Sequence, residues 1–423
     1  MSTSAVSKVA PSQINEILEQ AKKKAFEETA NEPEPKLTGE VKWPVTAEIG
    51  RGLENAVTNE TKVGYVNGAK GWLNYRGYDV FNLSLYSTFE ETSYALLFGA
   101  MPTVNQLADF KKKLAANRSI PSKIISIMKQ YPILDTHPMI SLSIGVSLLS
   151  TFDKTTETLT VEAETEVAIK LIAQMATLAA AVARIRAGKE PIAPDPSLSH
   201  AANFIYMLNG EIPDKGAERV MDICLILHAD HGMNASTFAT MITNSTLSDM
   251  YSSIVTGIGT LKGPLHGGAN EQVVYQLEEI GSLENVEPWY RKAREAKKKV
   301  MGFGHRVYKS YDPRARILGP LVDVFTSDPE IKRLYDIANK LNNLVCAELG
   351  KEKKIFPNVD FYSGLVYKAM GIEIPMFSVI FAVSRISGWG GRVLEYLKDN
   401  RLFRPRAVYT GPMLAEYVPI EKR

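Results

Sequence analysis

Apolar residues recur along most of this chain at the spacing of a helix. Val220, Ile223, Cys224 and Leu227 fall at i, i+3, i+4 and i+7, the set that shares one face of a 3.6-residue period. Met221, Leu225 and Ile226 fill the remaining faces, so this helix is expected to be buried nearly all round. Leu318, Leu321, Val322 and Phe325 repeat the spacing after Asp312-Pro313, an N-cap followed by proline at the first helical position. Asp328-Pro329 gives the same start signal. Leu334, Ala338, Leu341 and Val345 then form a stripe that should end near Gly350 as a C-cap. Strand-like alternation is scarce. Lys62–Val66 and Gly71–Tyr75 suit a small hairpin around Asn67-Gly68. No strand–helix alternation of the kind that builds a doubly wound sheet follows. The pattern predicts an all-α architecture with one small N-terminal β-hairpin.

Residues 1–44 read as a separate arm, partly helical or disordered. Ile14, Ile17, Leu18, Ala21 and Ala25 follow helical spacing over Pro11–Glu28, and Asn31-Glu-Pro-Glu-Pro-Lys36 follows as a linker because its prolines cannot continue a helix. The usual behaviour of termini makes this a frayed, solvated tail. A helix docking on a partner or a neighbouring subunit is the second reading.

At 423 residues the chain has room for two or three folding units. Hydrophobic residues at 45% and charged residues at 23% place it with ordinary globular proteins. A net charge of +2 provides no field that would recruit nucleic acid or an acidic membrane. Only two cysteines occur, Cys224 and Cys346, too few for a disulfide framework or a thiolate metal cluster, and their apolar neighbours suit small core residues. The start has no apolar core of a secretory signal, and the first forty residues lack Arg while carrying Glu16, Glu19, Glu27 and Glu28. The most apolar stretches, Leu171–Ala183 and Met139–Ser150, fall short of the roughly 20 residues a spanning helix needs. A soluble, cytoplasmic protein without membrane or nucleic-acid partners is expected.

Chemistry is concentrated around histidine. Of six, four occur in three Gly-rich or polar runs: His228-Ala-Asp-His231-Gly-Met-Asn234, Gly263-Pro-Leu-His266-Gly-Gly-Ala-Asn-Glu271 and Met301-Gly-Phe-Gly-His305-Arg306. Glycine beside histidine lets backbone and ligand approach closely. His228 and His231 could share a helical face around a metal, but the third ligand and the Glu base of H-E-x-x-H are missing, so no metal is expected. There is no G-x-S-x-G elbow, and Gly257-Ile-Gly-Thr-Leu-Lys262 matches neither phosphate-binding fingerprint. Arg385 follows the apolar run Ile374–Val383, where an unpaired guanidinium is costly. Its expected anionic partner is either structural or a substrate carboxylate. Asp360 opens a helix, as an N-cap or as a functional acid. These residues indicate an acid/base site with cationic clamps and leave the substrate open.

In order along the chain, these motifs resemble the citrate synthase family from about Val45 to Pro412. The three histidine runs are joined by Pro357-Asn-Val-Asp360 with Ser363-Gly364, by Val383-Ser-Arg385, by Arg404-Pro-Arg406 and by the early Leu73-Asn-Tyr-Arg-Gly-Tyr-Asp79. The resemblance implies a two-domain helical homodimer, or a higher homo-oligomer, with residues 45–266 and 368–423 in a large domain and 267–367 in a small one. It implies condensation of acetyl-CoA with oxaloacetate and hydrolysis of the resulting thioester, with acetyl-CoA as a substrate and no cofactor. Asp360 would be the general base, His266 the donor to the enolate oxygen, and His305 the group that polarises and protonates the ketone. His231, Arg314 and Arg385 would hold the substrate carboxylates, and Arg404 would come from the neighbouring subunit. Arg306 and Lys309 are the candidates for the CoA nucleotide.

Two departures stand out. Gly232 replaces a Glu common in the family, which is expected to loosen the oxaloacetate side of the site. Arg392 stands where many bacterial relatives carry His, altering local charge without touching any of these roles. The arm does not resemble a β-rich regulatory extension. Three rival readings remain: 2-methylcitrate synthase with propionyl-CoA, separated by one methylene worth about 1–3 kcal/mol; a catalytically silent assembly module; and a zinc hydrolase.

Overall fold

The computed structural model describes residues 10–33, 38–414 and 416–423. Helix makes up 58% of it and strand 3%, as the periodicity predicts. The last part of the expected linker, residues 34–36, lies outside the described residues.

Two long helices form the centre. Val161–Arg186 is long and apolar enough to cross a membrane by length and composition, but 78% of its apolar window is buried inside the protein, as in a core helix. Phe377–Leu397 packs against it and is buried continuously from Phe377 to Leu394. The Lys215–His228 helix lies beside Phe377–Leu397, with Val220 to His228 all buried, which matches its all-round apolar sequence. Gly388 allows this contact: a Cβ there would sit 2.1 Å from the Ala229 carbonyl oxygen. The long helix thereby lies directly against the turn that carries His231.

The N-terminal helix spans Pro11–Glu28, and its stripe Ile14, Leu18, Ala21 and Ala25 is buried. It is not a solvated tail, because it packs on this chain's own Pro313–Asp323, Val80–Tyr86 and Lys215–His228 helices. Lys22 Nζ donates to Asn82 Oδ1 at 2.6 Å, Glu28 pairs with Arg316, and the Phe26 ring lies 6.1 Å from that of Trp72. The amphipathic pattern was readable, but its covering surface is assembled from distant segments.

Two local expectations are corrected. The hairpin has strands β1 (Gly64–Asn67) and β2 (Trp72–Tyr75), with a short third strand β3 (Tyr78–Asp79) in the order β1-β2-β3. Asn67 pairs with Trp72, so the four-residue connection is 68–71, one position later than the expected 67–70, and Asn67 itself ends the first strand. Asn67 Oδ1 takes the amides of Ala69 and Lys70, each at 3.0 Å, and this side-chain capture stabilises the loop. Gly350 does not end its helix. Pro329–Val345 continues through a π-helical turn, Cys346–Gly350, and a last turn, Lys351–Lys353, before Lys354 takes the left-handed conformation at φ 53°.

Candidate active site

The hairpin loop touches the third histidine run directly. Gly68 lies so close to Val307 that a Cβ would come within 2.0 Å of the Val307 carbonyl oxygen. Its own carbonyl accepts from Lys309 N at 2.9 Å and Ser310 Oγ at 3.1 Å. From the other side the His305 run is zipped to the Asp360 loop. Gly304 N donates to Phe356 O at 2.9 Å, Asn358 N to Gly302 O at 2.9 Å, and Asn358 Nδ2 to Gly304 O at 3.0 Å. Two motifs some fifty positions apart in the chain thus form one rigid ledge.

On that ledge the expected residues converge. The His231 and His305 rings lie 5.0 Å apart, with Tyr308 beside both at 5.3 and 4.8 Å. His266 and Arg385 both lie against Phe381, at 6.3 and 4.7 Å. Arg314 and Arg385 are close enough to act electrostatically on His231, His266 and Asp360 alike.

Hydrogen bonds fix the protons on two of the rings. The amides of Val307 and Tyr308 point at His305 Nδ1, 2.9 and 3.1 Å away. An amide can only donate, so Nδ1 accepts and Nε2 carries the proton. Ser236 N likewise donates to His266 Nε2 at 3.3 Å, and the Ser236 hydroxyl 2.8 Å away can donate to the same nitrogen, which leaves the His266 proton on Nδ1; Asn234 Oδ1, an acceptor 3.2 Å from Nε2, takes the Thr237 amide instead. Burial, reinforced by neighbouring arginines, lowers the His266 pKa to about 3. Burial also lowers that of His305 to about 4 and that of His231 well below its ordinary value. All three are neutral hydrogen-bonding groups near pH 7.

Asp360 is the first residue of the Asp360–Ala369 helix, and its amide donates to Asn358 Oδ1 at 3.0 Å. It is no N-cap: its Oδ1 is buried and bonds to nothing among the described residues. Burial pushes its pKa up to about 7; Arg314 opposes the rise and Asp312 adds to it. Asp312 does more than the helix-capping its sequence suggests. It holds Arg314 by Nε at 3.0 Å and Nη2 at 2.7 Å, both residues being buried, and its Oδ2 takes the Val359 amide at 3.2 Å. One carboxylate therefore positions an arginine and the start of the Asp360 helix.

Arg385 is 1% exposed. Its Nε donates to the His228 carbonyl at 2.6 Å, while Nη1 and Nη2 are buried without a partner among the described residues. Of the two partners expected for it, this favours one from outside the chain. His228 and His231 do not act as a pair. His228 Nδ1 donates to Cys224 O at 2.8 Å, whereas His231 Nε2 meets Tyr308 OH at 3.2 Å. Among the described residues no three His, Cys, Asp or Glu are grouped to hold a metal.

Three predicted residues stand apart. Arg306 and Lys309 are exposed beside His305. Arg404 lies in an exposed C-terminal segment, its guanidinium donating to the Pro405 carbonyl at 2.8 Å. Asn234, Ser236, Tyr308 and Asp312 were not singled out for the site in the sequence. The polar run after His231 and the tyrosine three residues after His305 were the available signals.

Comparison with known proteins follows this geometry. The family model for the citrate synthase C-terminal domain matches residues 52–406. Citrate synthase of Deinococcus radiodurans is 45% identical over 375 residues, covering 89% of this chain and 99% of the relative. The crystal structure of citrate synthase from Thermotoga maritima superposes with a TM-score of 0.81 at 41% identity, over 89% of this chain and 99% of that one. Citrate synthase of Thermoplasma acidophilum, solved as a ternary complex with carboxymethyl coenzyme A and oxaloacetate, gives a TM-score of 0.85 at 36% identity, over 89% of this chain and 100% of that one. With its model matched over most of the sequence and relatives matched over nearly their whole length, this chain belongs to the citrate synthase family.

Proposed function

We propose that this chain condenses acetyl-CoA with oxaloacetate and hydrolyses the citryl thioester to citrate and CoA. The observation that carries the reading is the buried guanidinium edge of Arg385 and the buried Asp360 Oδ1, both without a partner among the described residues, together with neutral imidazoles. Asp360 takes a proton from the acetyl methyl group as His266 Nδ1–H stabilises the enolate oxygen. A neutral donor does this without forming a salt bridge that would weaken Asp360 as a base. The enolate carbon then bonds to the ketone carbon of oxaloacetate, whose oxygen takes the proton from His305 Nε2. Water attacks the thioester, and CoA leaves as the thiol. His231, Arg314 and Arg385 hold the carboxylates.

Arg404 is read as serving the site of a second copy. Supporting this is its place in a segment whose apolar side chains are open to solvent, Val408 at 89%, Met413 at 77% and Leu414 at 99%, more than a monomer ordinarily exposes in one stretch. Residues 267–367 are read as the small domain, which closes on the remainder and excludes water. Arg306 and Lys309 at the exposed edge are read as CoA contacts.

The test is CoA release with oxaloacetate present, acetyl-CoA and propionyl-CoA side by side. A higher kcat/KM with acetyl-CoA is expected; a preference for propionyl-CoA would replace the substrate and keep the mechanism, and no release with either sinks the reading. With Asp360 as base, kcat/KM should rise with pH along one ionisation near 7, because the active form is the carboxylate and burial raises its pKa to about 7. The histidines, neutral above about 4, should add no ionisation between pH 5 and 8. A flat profile over pH 6–8 removes the raised carboxyl from the rate.

A further inference from the structure

Arg392 lies seven residues beyond Arg385 on the same helix, two turns along the same face. The sequence presents it as a charge difference without a role, but its contacts lead to the substrate side of the site. Nε and Nη2 reach Asp230 Oδ1 and Oδ2 at 3.2 and 2.7 Å, and the two residues are 1% and 0% exposed. The remaining donors go to the hairpin entrance, Nη2 to Gly64 O at 3.2 Å and Nη1 to Thr61 Oγ1 at 3.0 Å. Asp230 in turn accepts the Gly232 amide on Oδ2 at 3.1 Å, and its carbonyl accepts from Tyr75 OH at 3.0 Å. His231 is strung between the two residues that this one carboxylate ties together. Gly232 turns the chain at φ 60°, a conformation glycine adopts at little cost.

We propose that Arg392 is a positioning residue for oxaloacetate: through Asp230 it fixes the turn that presents His231 to a substrate carboxylate. It touches no reacting atom. A two-armed guanidinium–carboxylate pair sets orientation as well as charge, and removing one partner leaves the other buried and uncompensated. The turn then relaxes in the free protein and must be ordered again when substrate binds. That cost falls on substrate binding, so it raises KM and leaves kcat nearly unchanged.

The inference rests on the reading of His231 as a carboxylate clamp, and the experiment separates the two. Steady-state kinetics on Arg392→Gln, His231→Ala and the double variant are the measurement. Arg392→Gln should raise the oxaloacetate KM roughly 10-fold or more, with kcat and the acetyl-CoA KM within about 3-fold. In the His231→Ala background the same change should add nothing further. A full additional loss there, or an unchanged oxaloacetate KM in folded Arg392→Gln, overturns the proposal. An unchanged KM in His231→Ala alone instead removes the clamp reading, and the proposal with it. If the Gln variant does not fold, Arg392→Lys decides, because it keeps the charge and loses the fork. A KM still raised several-fold supports positioning by geometry, and a wild-type KM overturns it.

Discussion

Asp360→Asn is expected to lower kcat by about 10³- to 10⁴-fold, toward the upper end of what a positioned base supplies, while oxaloacetate affinity stays within a few-fold. The carboxyl lies where it can take a proton, with Oδ1 free of partners among the described residues. An amide of the same shape keeps the packing and cannot accept that proton. Binding is retained because Arg314 and Arg385 are held by Asp312 and by the His228 carbonyl, not by Asp360. Stability should move the other way. A carboxyl pKa raised by burial from 3.8 to about 7 means that the unfolded chain gives up its proton first. Raising pH through that window therefore favours unfolding, and above it the native protein carries the full cost of a buried charge. The Asn variant is free of this cost, so its Tm at pH 8 should equal or exceed the parent's. Turnover measured beside calorimetry checks both halves, and substantial turnover by the Asn variant would remove Asp360 from the base role.

The helical fold was readable because its signals are local. The stripe on Pro11–Glu28, the apolar run of Lys215–His228 and the Asp-Pro start of Pro313–Asp323 each follow from spacing or capping. What the stripes pack against was not readable, as the N-terminal helix shows: its cover comes from three segments between about fifty and three hundred residues away. The hairpin's strands begin and end up to two residues from where alternation put them, because Asn67 joins the ladder while its side chain caps the loop amides of Ala69 and Lys70. At the site, residues carried by a motif were legible, and residues acting through contact were not. Asp312 looked like a cap until its carboxylate was seen to hold Arg314 and the Val359 amide. Tyr308 gained meaning only when folding placed it against His231 and His305.

Arg385→Met should abolish oxaloacetate-dependent turnover at ordinary substrate concentrations and yet leave the unliganded protein as stable as the parent. Two costs set the stability side. Burial that draws this guanidinium from 12.5 to about 10 corresponds to about 3 kcal/mol against the charged form. Removing it deprives the buried His228 carbonyl of its donor, at about 1–3 kcal/mol. These terms nearly cancel, and a methionine stem against Phe381 recovers packing, so Tm should change by no more than a few degrees. On binding nothing compensates. A desolvated carboxylate that loses its guanidinium partner forfeits about 2–5 kcal/mol, roughly 30- to 5,000-fold in affinity. Oxaloacetate should raise the parent's Tm by mass action and leave that of the variant where it was. A variant that melts many degrees lower without ligand, and still gains the parent's ligand-induced shift, would make Arg385 a structural residue and place the carboxylate clamp elsewhere.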